Sequence, residues 1–199
     1  MALSARSGPA LLRVRNGSRT KALLFLAFAL AAVSACSSDR SADNDPKASP
    51  TPSATKSADP TETAKNEAIG AYRNYWQQME KTFASGTSEG TDLKKYAAAT
   101  ALIVAEDAAK NRHAKGQMMT GSVTVENPTV TKIDIDRKVP STTLSSCLDI
   151  TRWNVVERAD NKPVPLPSQR LTRYVIVSTV EKWPDGWKVI KDEPQAKPC

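Results

Sequence analysis

The spacing of the apolar residues changes at Gly116, and this change constrains the fold more than any other feature of the sequence. Before Gly116 the apolar residues recur every three or four positions, as they do on one face of a helix. After it they alternate with polar residues, as they do on a half-buried strand. Helices followed by a run of strands predict an α+β domain with N-terminal helices packed on one face of an antiparallel sheet.

Two helices are predicted before Gly116. The first begins at Asp59-Pro60, because Asp is a favoured N-cap and Pro is favoured in the first turn, and it ends at Ser85-Gly86. Its apolar stripe consists of Ile69, Tyr72, Trp76, Met79 and Phe83. The second helix is expected from Thr91-Asp92 to about Lys115. Its buried stripe would consist of Leu93, Tyr96, Ala97, Ala101, Val104, Ala105 and Ala108.

The C-terminal part of the chain has the two-residue period of strands. Pro184-Asp185-Gly186 predicts a tight turn, so the last two strands should form a hairpin. Asn127-Pro128 separates the first two predicted strands, and the residues after 191 read as a polar, proline-containing tail. The predicted strands are residues 118–125, 130–136, 142–150, 169–182 and 187–191.

The N-terminal segment has the order of parts typical of an export signal. Residues 1–21 are basic and lack acids, and residues 22–33 are continuously apolar. Twelve helical residues span about 18 Å, which is short of the ~30 Å hydrocarbon core of a membrane. Val33-Ser34-Ala35-Cys36 then resembles a lipobox, in which the cysteine thiolate takes a diacylglyceryl group. An ordinary cleaved signal with a cysteine nearby is the alternative.

These features predict a lipoprotein with three segments. Residues 1–35 would be a signal peptide that is cut between Ala35 and Cys36, and Cys36 would carry the lipid. Residues 36–59 would be a disordered tether, because the chain from Ser37 to Ala68 has no large apolar residue to offset its ordering entropy. Residues 60–199 would form the folded domain. No twin arginine precedes the apolar run, so we expect the general secretory route and an address on the outer face of the cytoplasmic membrane.

The charge distribution argues against a nucleic-acid partner. The formal net charge is +7, but five basic residues lie in the first 35 positions. Without them 23 basic residues stand against 21 acids, which leaves only about +2. A nearly neutral domain with scattered charges and few aromatic residues has no electrostatic footprint for DNA or RNA.

Residues 66–199 resemble small secreted lipoproteins of actinobacteria, and the order of elements resembles the NTF2-like cone. The resemblance implies a curved antiparallel sheet and an exported protein, but no activity. The residues that carry it are Tyr72 to Trp76, the Ala-rich second helix, Ser146-Cys147-Leu148-Asp149 with Trp153, the Gly/Pro loop, Trp183 to Val189, and the terminal cysteine.

Two further cysteines, Cys147 and Cys199, would meet an oxidising compartment after export. We predict that they bond to each other and pin the tail to the third strand. Two free thiols are the alternative.

No catalytic, metal or cofactor site is predicted. His113 is the only histidine, and its position beside Lys110, Arg112 and Lys115 favours a role at a helix C-terminus. An enzyme using the cone fold could employ an acid as general base with tyrosines as donors. The candidates are Tyr72, Tyr75, Asp134, Asp136 and Asp149. Asp134 and Asp136 lie opposite Ile133 and Ile135 on their strand, so both acids should face solvent.

The predicted function is therefore a non-catalytic binding or scaffold module of the cell envelope, tethered to the membrane by its lipid. Its partner would be an envelope protein, a wall polymer or a small ligand. The alternative is a small isomerase-type or hydrolase-type enzyme with a carboxylate in the cone pocket. A cavity with a buried carboxylate would favour the enzyme, and a filled cone would favour the scaffold. The pocket would be lined by Tyr72, Tyr75, Trp76, Met79 and Phe83.

Overall fold

The computed structural model describes residues 59–199, so the predicted signal peptide, Cys36 and all but the last residue of the predicted tether lie outside the described residues. The helices are α1 (Pro60–Ser85), α2 (Leu93–Tyr96) and α3 (Ala99–Ala114). The strands are β1 (Gln117–Gly121), β2 (Thr124–Asp134), β3 (Ser141–Asp149), β4 (Trp153–Glu157), β5 (Arg173–Trp183) and β6 (Gly186–Pro198). Helices precede an antiparallel sheet, which confirms the predicted α+β class.

Helix α1 begins and ends where the sequence predicts. The Asp59 side chain accepts a hydrogen bond from the Thr61 backbone N–H at 2.8 Å, which satisfies one of the free donors of the first turn. Gly86 ends the helix in the left-handed conformation, with φ 79°. The side chain of His113 packs against this glycine so closely that an added Cβ would lie 2.5 Å from it. A glycine at 86 is therefore required by both the backbone and the packing.

The second predicted helix is wrong as a single element, because its chain breaks at Ala97-Ala98. Both residues are extended, and the Ala98 N–H donates to the Val189 carbonyl at 3.0 Å. The break thus lets the backbone pair with β6. In the helix that follows, Ala101, Ala105 and Ala109 are buried. Val104, predicted to be buried, is 60% exposed, and Ala108 is exposed too.

The main sheet has the order β2-β3-β5-β6, and all its neighbours are antiparallel. The predicted separation at Asn127-Pro128 is wrong, since β2 runs through these residues with a bulge between Glu126 and Thr129. Asn127 adopts φ 45° there, which suits the extra residue of a bulge. Strand β5 begins later than predicted, at Arg173, and β6 continues to Pro198.

Strand β4 is missing from the sequence prediction, and it pairs with β1 in a two-stranded sheet. The chain runs from β1 into β2 and from β3 into β4, so the β1–β4 pair continues the β2–β3 pair as one long two-stranded ribbon. This ribbon bends between Gly121 and Thr124. At the bend Gly121 has φ 88°, and a Cβ on it would lie 1.8 Å from the Arg152 carbonyl oxygen. The Glu80 carboxylate of α1 accepts the Val123 backbone N–H at 2.6 Å, so the helix satisfies a donor that the bend leaves unpaired. The bend curves the sheet around α1.

The core lies between α1 and the concave face of this sheet. Tyr72 and Tyr75 of α1 are almost fully buried, as are Leu144 and Leu148 of β3. An aromatic cluster fills one end, where Trp153 contacts Trp76 and Phe83 with ring centroids 6.3 and 5.2 Å apart. Helices against a curved antiparallel sheet are the arrangement that the NTF2-like resemblance implies.

A disulfide joins Cys147 and Cys199, whose Cα atoms lie 5.8 Å apart. It connects β3 to the residue after β6, although β5 separates these two strands in the sheet. The tail is therefore an edge strand with a covalent link at its end.

Candidate functional site

A cavity of about 390 Å³ lies between α1, α3 and the strands β5 and β6. Its apolar wall is formed by Tyr75, Trp76, Met79, Ala101, Val104, Ala105 and Ile176. Val104 lines the cavity although most of its side chain is exposed, which places it at the rim. Ala101 and Ala105 leave space between the helices because a larger side chain at either position would enter the cavity. The concave face is thus filled at one end and open here.

Asp192 of β6 places a carboxyl group in this mostly apolar cavity. The residue is partly buried, and burial raises the pKa of its carboxyl group to about 7. Hydrogen bonds from Ser178 and Tyr75 lower this pKa and so limit the shift, whereas the neighbouring Glu193 carboxylate raises it further. The proton on Asp192 is therefore exchanged near neutral pH.

Two tyrosines and two serines form a polar group beneath the cavity. The Tyr72 hydroxyl hydrogen-bonds Ser146 of β3 at 3.0 Å, and Ser178 of β5 donates to Asp192. Burial, with a smaller contribution from the charge of Asp192, raises the pKa of Tyr72 to about 12. The same two causes hold the pKa of Tyr75 well above its usual range. Both tyrosines therefore stay protonated in the pH range in which Asp192 titrates.

Of the five predicted pocket residues, Tyr75, Trp76 and Met79 line the cavity. Tyr72 and Phe83 do not. Tyr72 lies beneath the cavity against Ser146, and Phe83 packs on Trp153 in the aromatic cluster. The prediction placed the whole apolar stripe of α1 in one pocket. In the structure, β4 packs on part of that stripe because the sheet bends.

The predicted acids lie outside the cavity. Asp134 and Asp136 are exposed, as their position opposite the isoleucines indicates. Asp149 accepts the Thr151 backbone N–H at 2.8 Å and lies 3.6 Å from Arg173, and these hydrogen bonds with Thr151 lower its pKa. A charged, well-paired carboxylate of this kind is a poor general base.

Asp192 was missed because residues after 191 read as a polar tail. A signal was present on β5, where Ser178 shares the buried face of the strand with Ile176 and Val180. A buried hydroxyl requires a hydrogen-bond partner, and the neighbouring strand is the nearest source of one. Extending the last strand would have placed Asp192 opposite Ser178.

His113 lies in the last turn of α3 beside Arg112 and does not line the cavity. Within residues 59–199, no group of three or more His, Cys, Asp or Glu side chains is arranged to hold a metal ion. The helices of the same range include none whose length and apolar character would let it cross a membrane.

Comparison with known proteins returns similar folds only. No family model matches the chain, and no curated protein matches it in sequence. Similar solved structures include the intermembrane space region of the chloroplast protein ARC6, with a TM-score of 0.47 and 12% identity over 67% of this chain and 97% of that one. Kfla4162 from Kribbella flavida has a TM-score of 0.40 and 15% identity, over 68% of this chain and 91% of that one. An NTF2-like superfamily protein from Salmonella enterica serovar Typhimurium has a TM-score of 0.41 and 12% identity, over 70% and 94%.

Proposed function

We propose that the protein is an exported, lipid-anchored binding protein whose folded domain holds a small, largely apolar ligand without transforming it. The observation that supports this is the open cavity between α1 and α3, whose apolar walls surround one enclosed carboxyl group. Ligand sites are commonly apolar hollows of ~300–1,000 Å³ with a few polar groups that fix orientation. The cavity has this character, and Asp192 is its orienting group.

Binding is favoured over catalysis by where the polar groups of the cavity point. The Tyr75 hydroxyl faces Asp192 itself, and Ser178 also donates to that carboxyl group. Lys191 is paired with Glu193 at 2.8 Å, and both side chains are about half exposed. An enzyme needs donors aimed at the atom where charge develops on the substrate. The enclosed hydroxyl groups of Tyr75 and Ser178 are directed at the protein's own acid.

The enzyme alternative is supported by the open cavity with its enclosed carboxyl group, which is the feature expected of such an enzyme, and by the pKa of that group. A general base works best when its pKa lies near the operating pH, and the pKa of Asp192 is raised to about 7. Asp192 replaces Asp134, Asp136 and Asp149 as the candidate base of that alternative. Turnover of a carbonyl compound, lost in Asp192→Asn, would establish the enzyme and displace the binding proposal.

The location of the protein on the outer face of the membrane is part of the same proposal. Cys36 would carry the lipid after cleavage behind Ala35, and the segment to residue 59 would connect it to α1. The exposed position of Asp59 and Pro60 is compatible with a tether that leads away from the domain. The partner of the cavity would then be a molecule of the envelope or of the surroundings. A Cys36→Ala chain that still fractionates with the membrane would contradict this address.

The ligand can be sought directly. The full chain is purified from its own envelope, denatured, and analysed by mass spectrometry for small molecules that are released. A Val104→Trp variant should release none, because an indole at the rim would fill the cavity. Ile103→Trp is the matched control, since Ile103 is equally exposed but does not line the cavity. Equal release from both variants would contradict a ligand in this cavity.

A further inference from the structure

The Asp192 carboxyl group has no cationic partner in the part of the chain that the structure describes. No Lys, Arg or His nitrogen in residues 59–199 lies within 4.0 Å of it. The lysine next to it, Lys191, is engaged by Glu193. An ionised carboxylate that is withdrawn from water without a partner is costly, typically by several kcal/mol. Asp192 lies at the cavity wall, where a ligand could supply the positive charge that the carboxylate lacks.

The walls of the cavity suit a cation as well as an apolar body. Tyr75 and Trp76 contribute aromatic rings, with centroids 5.5 Å apart in an edge-to-face arrangement. Aromatic faces attract ammonium groups, and the attraction is stronger away from water. Met79, Val104 and Ile176 provide apolar surface for the remainder of the ligand. A carboxylate beside aromatic rings thus offers two sources of attraction for one positive charge.

We propose that the cavity binds an amphipathic amine, whose ammonium group pairs with Asp192 and whose apolar body lies against Trp76, Met79 and Val104. This inference rests on the proposed binding function and specifies its ligand class. A neutral ligand of the same shape would fill the apolar wall but would leave the carboxylate unpaired. The amine is favoured because its ammonium group supplies the opposite charge that the ionised carboxylate lacks.

The pairing makes affinity depend on pH in a defined direction. The groups that face Asp192 are Tyr72 and Tyr75 of α1, Tyr174 and Ser178 of β5, and Glu193 of β6. Burial raises the pKa of all three tyrosines, so they stay neutral at pH 5–8. The α3 side of the cavity, which consists of Thr100, Ala101, Val104 and Ala105, has no titratable group. An affinity change for an amine over pH 5–8 would therefore report Asp192.

The test uses the full chain in lipid nanodiscs, with empty nanodiscs as the blank for partitioning. Phenethylammonium and its neutral counterpart 2-phenylethanol are titrated by calorimetry at pH 5.5 and pH 8. We expect the amine to bind at least about tenfold tighter than the alcohol at pH 8, and the preference to shrink at pH 5.5. Asp192→Asn should abolish the preference and keep the alcohol affinity. Asp136→Asn, which removes an exposed carboxylate outside the cavity, should keep the preference.

The outcomes separate this inference from the proposed function. Equal binding of both probes at pH 8, or an unchanged amine preference in Asp192→Asn, would overturn the amine while leaving the binding cavity in place. No binding of either probe at any pH would count against both. Val104→Trp should abolish the binding of both probes, and its melting temperature shows whether it is folded. Retained binding in a folded Val104→Trp variant would show that the probes bind outside this cavity, and it would overturn the inference.

Discussion

Ser178 and Asp192 are register partners on the adjacent strands β5 and β6, and the serine hydroxyl donates to the aspartate carboxyl group on the concave side of the sheet. The pair joins two facts that the sequence keeps apart. One is a hydroxyl at a core position, and the other is an acid in a segment that reads as a polar tail. Each requires the other, since a buried hydroxyl needs an acceptor and a withdrawn carboxyl needs a donor.

Asp192→Asn should stabilise the folded protein at high pH and leave it nearly unchanged at low pH. The unfolded carboxyl ionises near its usual pKa of 3.8, whereas the folded one ionises at about 7. Stability of the natural protein therefore falls as pH rises from about 4 to about 7, and then levels off. The shift corresponds to at most about 4 kcal/mol, and we expect about 2 because Asp192 keeps some exposure. Denaturant unfolding of both chains at pH 4, 6 and 8 measures the difference.

Asp136→Asn is the control for this measurement, because Asp136 is exposed, lies outside the cavity and forms no ion pair within residues 59–199. Its stability difference from the natural protein should be under about 1 kcal/mol at every pH. If Asp192→Asn and Asp136→Asn gave the same pH profile, the Asp192 carboxyl would not be withdrawn from water.

The contribution of the Tyr72 hydroxyl to stability should depend on Ser146. Tyr72→Phe removes one partner of a buried 3.0 Å hydrogen bond and leaves the Ser146 hydroxyl unpaired, so we expect a loss of about 1–2 kcal/mol. Ser146→Ala alone should cost a similar amount. The double variant should cost less than the sum, because both polar groups are then absent. Additive losses would show that the two hydroxyls are not coupled.

Gly121→Ala should destabilise the domain by more than its backbone conformation alone explains. A side chain at φ 88° costs about 1–3 kcal/mol, and here a Cβ would also collide with the Arg152 carbonyl oxygen. Gly90→Ala is the matched control, since Gly90 has φ 75° and nothing within 4 Å of an added Cβ. The difference between the melting temperatures of the two variants measures the cost of the collision alone. Equal losses would show that β1 and β4 move apart freely at the bend.

The parts of the fold that were predictable depend on local signals. Helix α1 has an N-cap, a proline, an apolar stripe and a C-terminal glycine within its own sequence, and it was located to the residue at both ends. The turn before β6 has the Pro-Asp-Gly signal, and Trp183 pairs with Gly186 across it. These elements need no distant partner to be recognised.

The parts that were missed depend on tertiary pairing. The helix break at Ala97-Ala98 contains no Gly or Pro, so the sequence gives no local signal for it. The break exists because the backbone there pairs with Val189. Alanine occupies both buried and exposed positions of α3, so its pattern did not exclude Val104 from the predicted buried stripe, although Val104 is 60% exposed.

The disulfide should hold the strand that carries Asp192. Cys199 directly follows β6, and its link to Cys147 closes a separation of 52 residues across an edge strand whose last six residues are exposed. In the chain-entropy model such a link contributes about 4 kcal/mol. Cys147→Ser/Cys199→Ser should therefore lower the free energy of unfolding by up to this amount and weaken binding at the cavity, because Asp192, Glu193 and Pro194 lie on the loosened strand. Intact mass should rise by about two units when the exported natural chain is reduced. An unchanged mass on reduction would show that the disulfide is absent from the exported chain. Full ligand affinity in the double variant would show that β6 keeps its position without the disulfide.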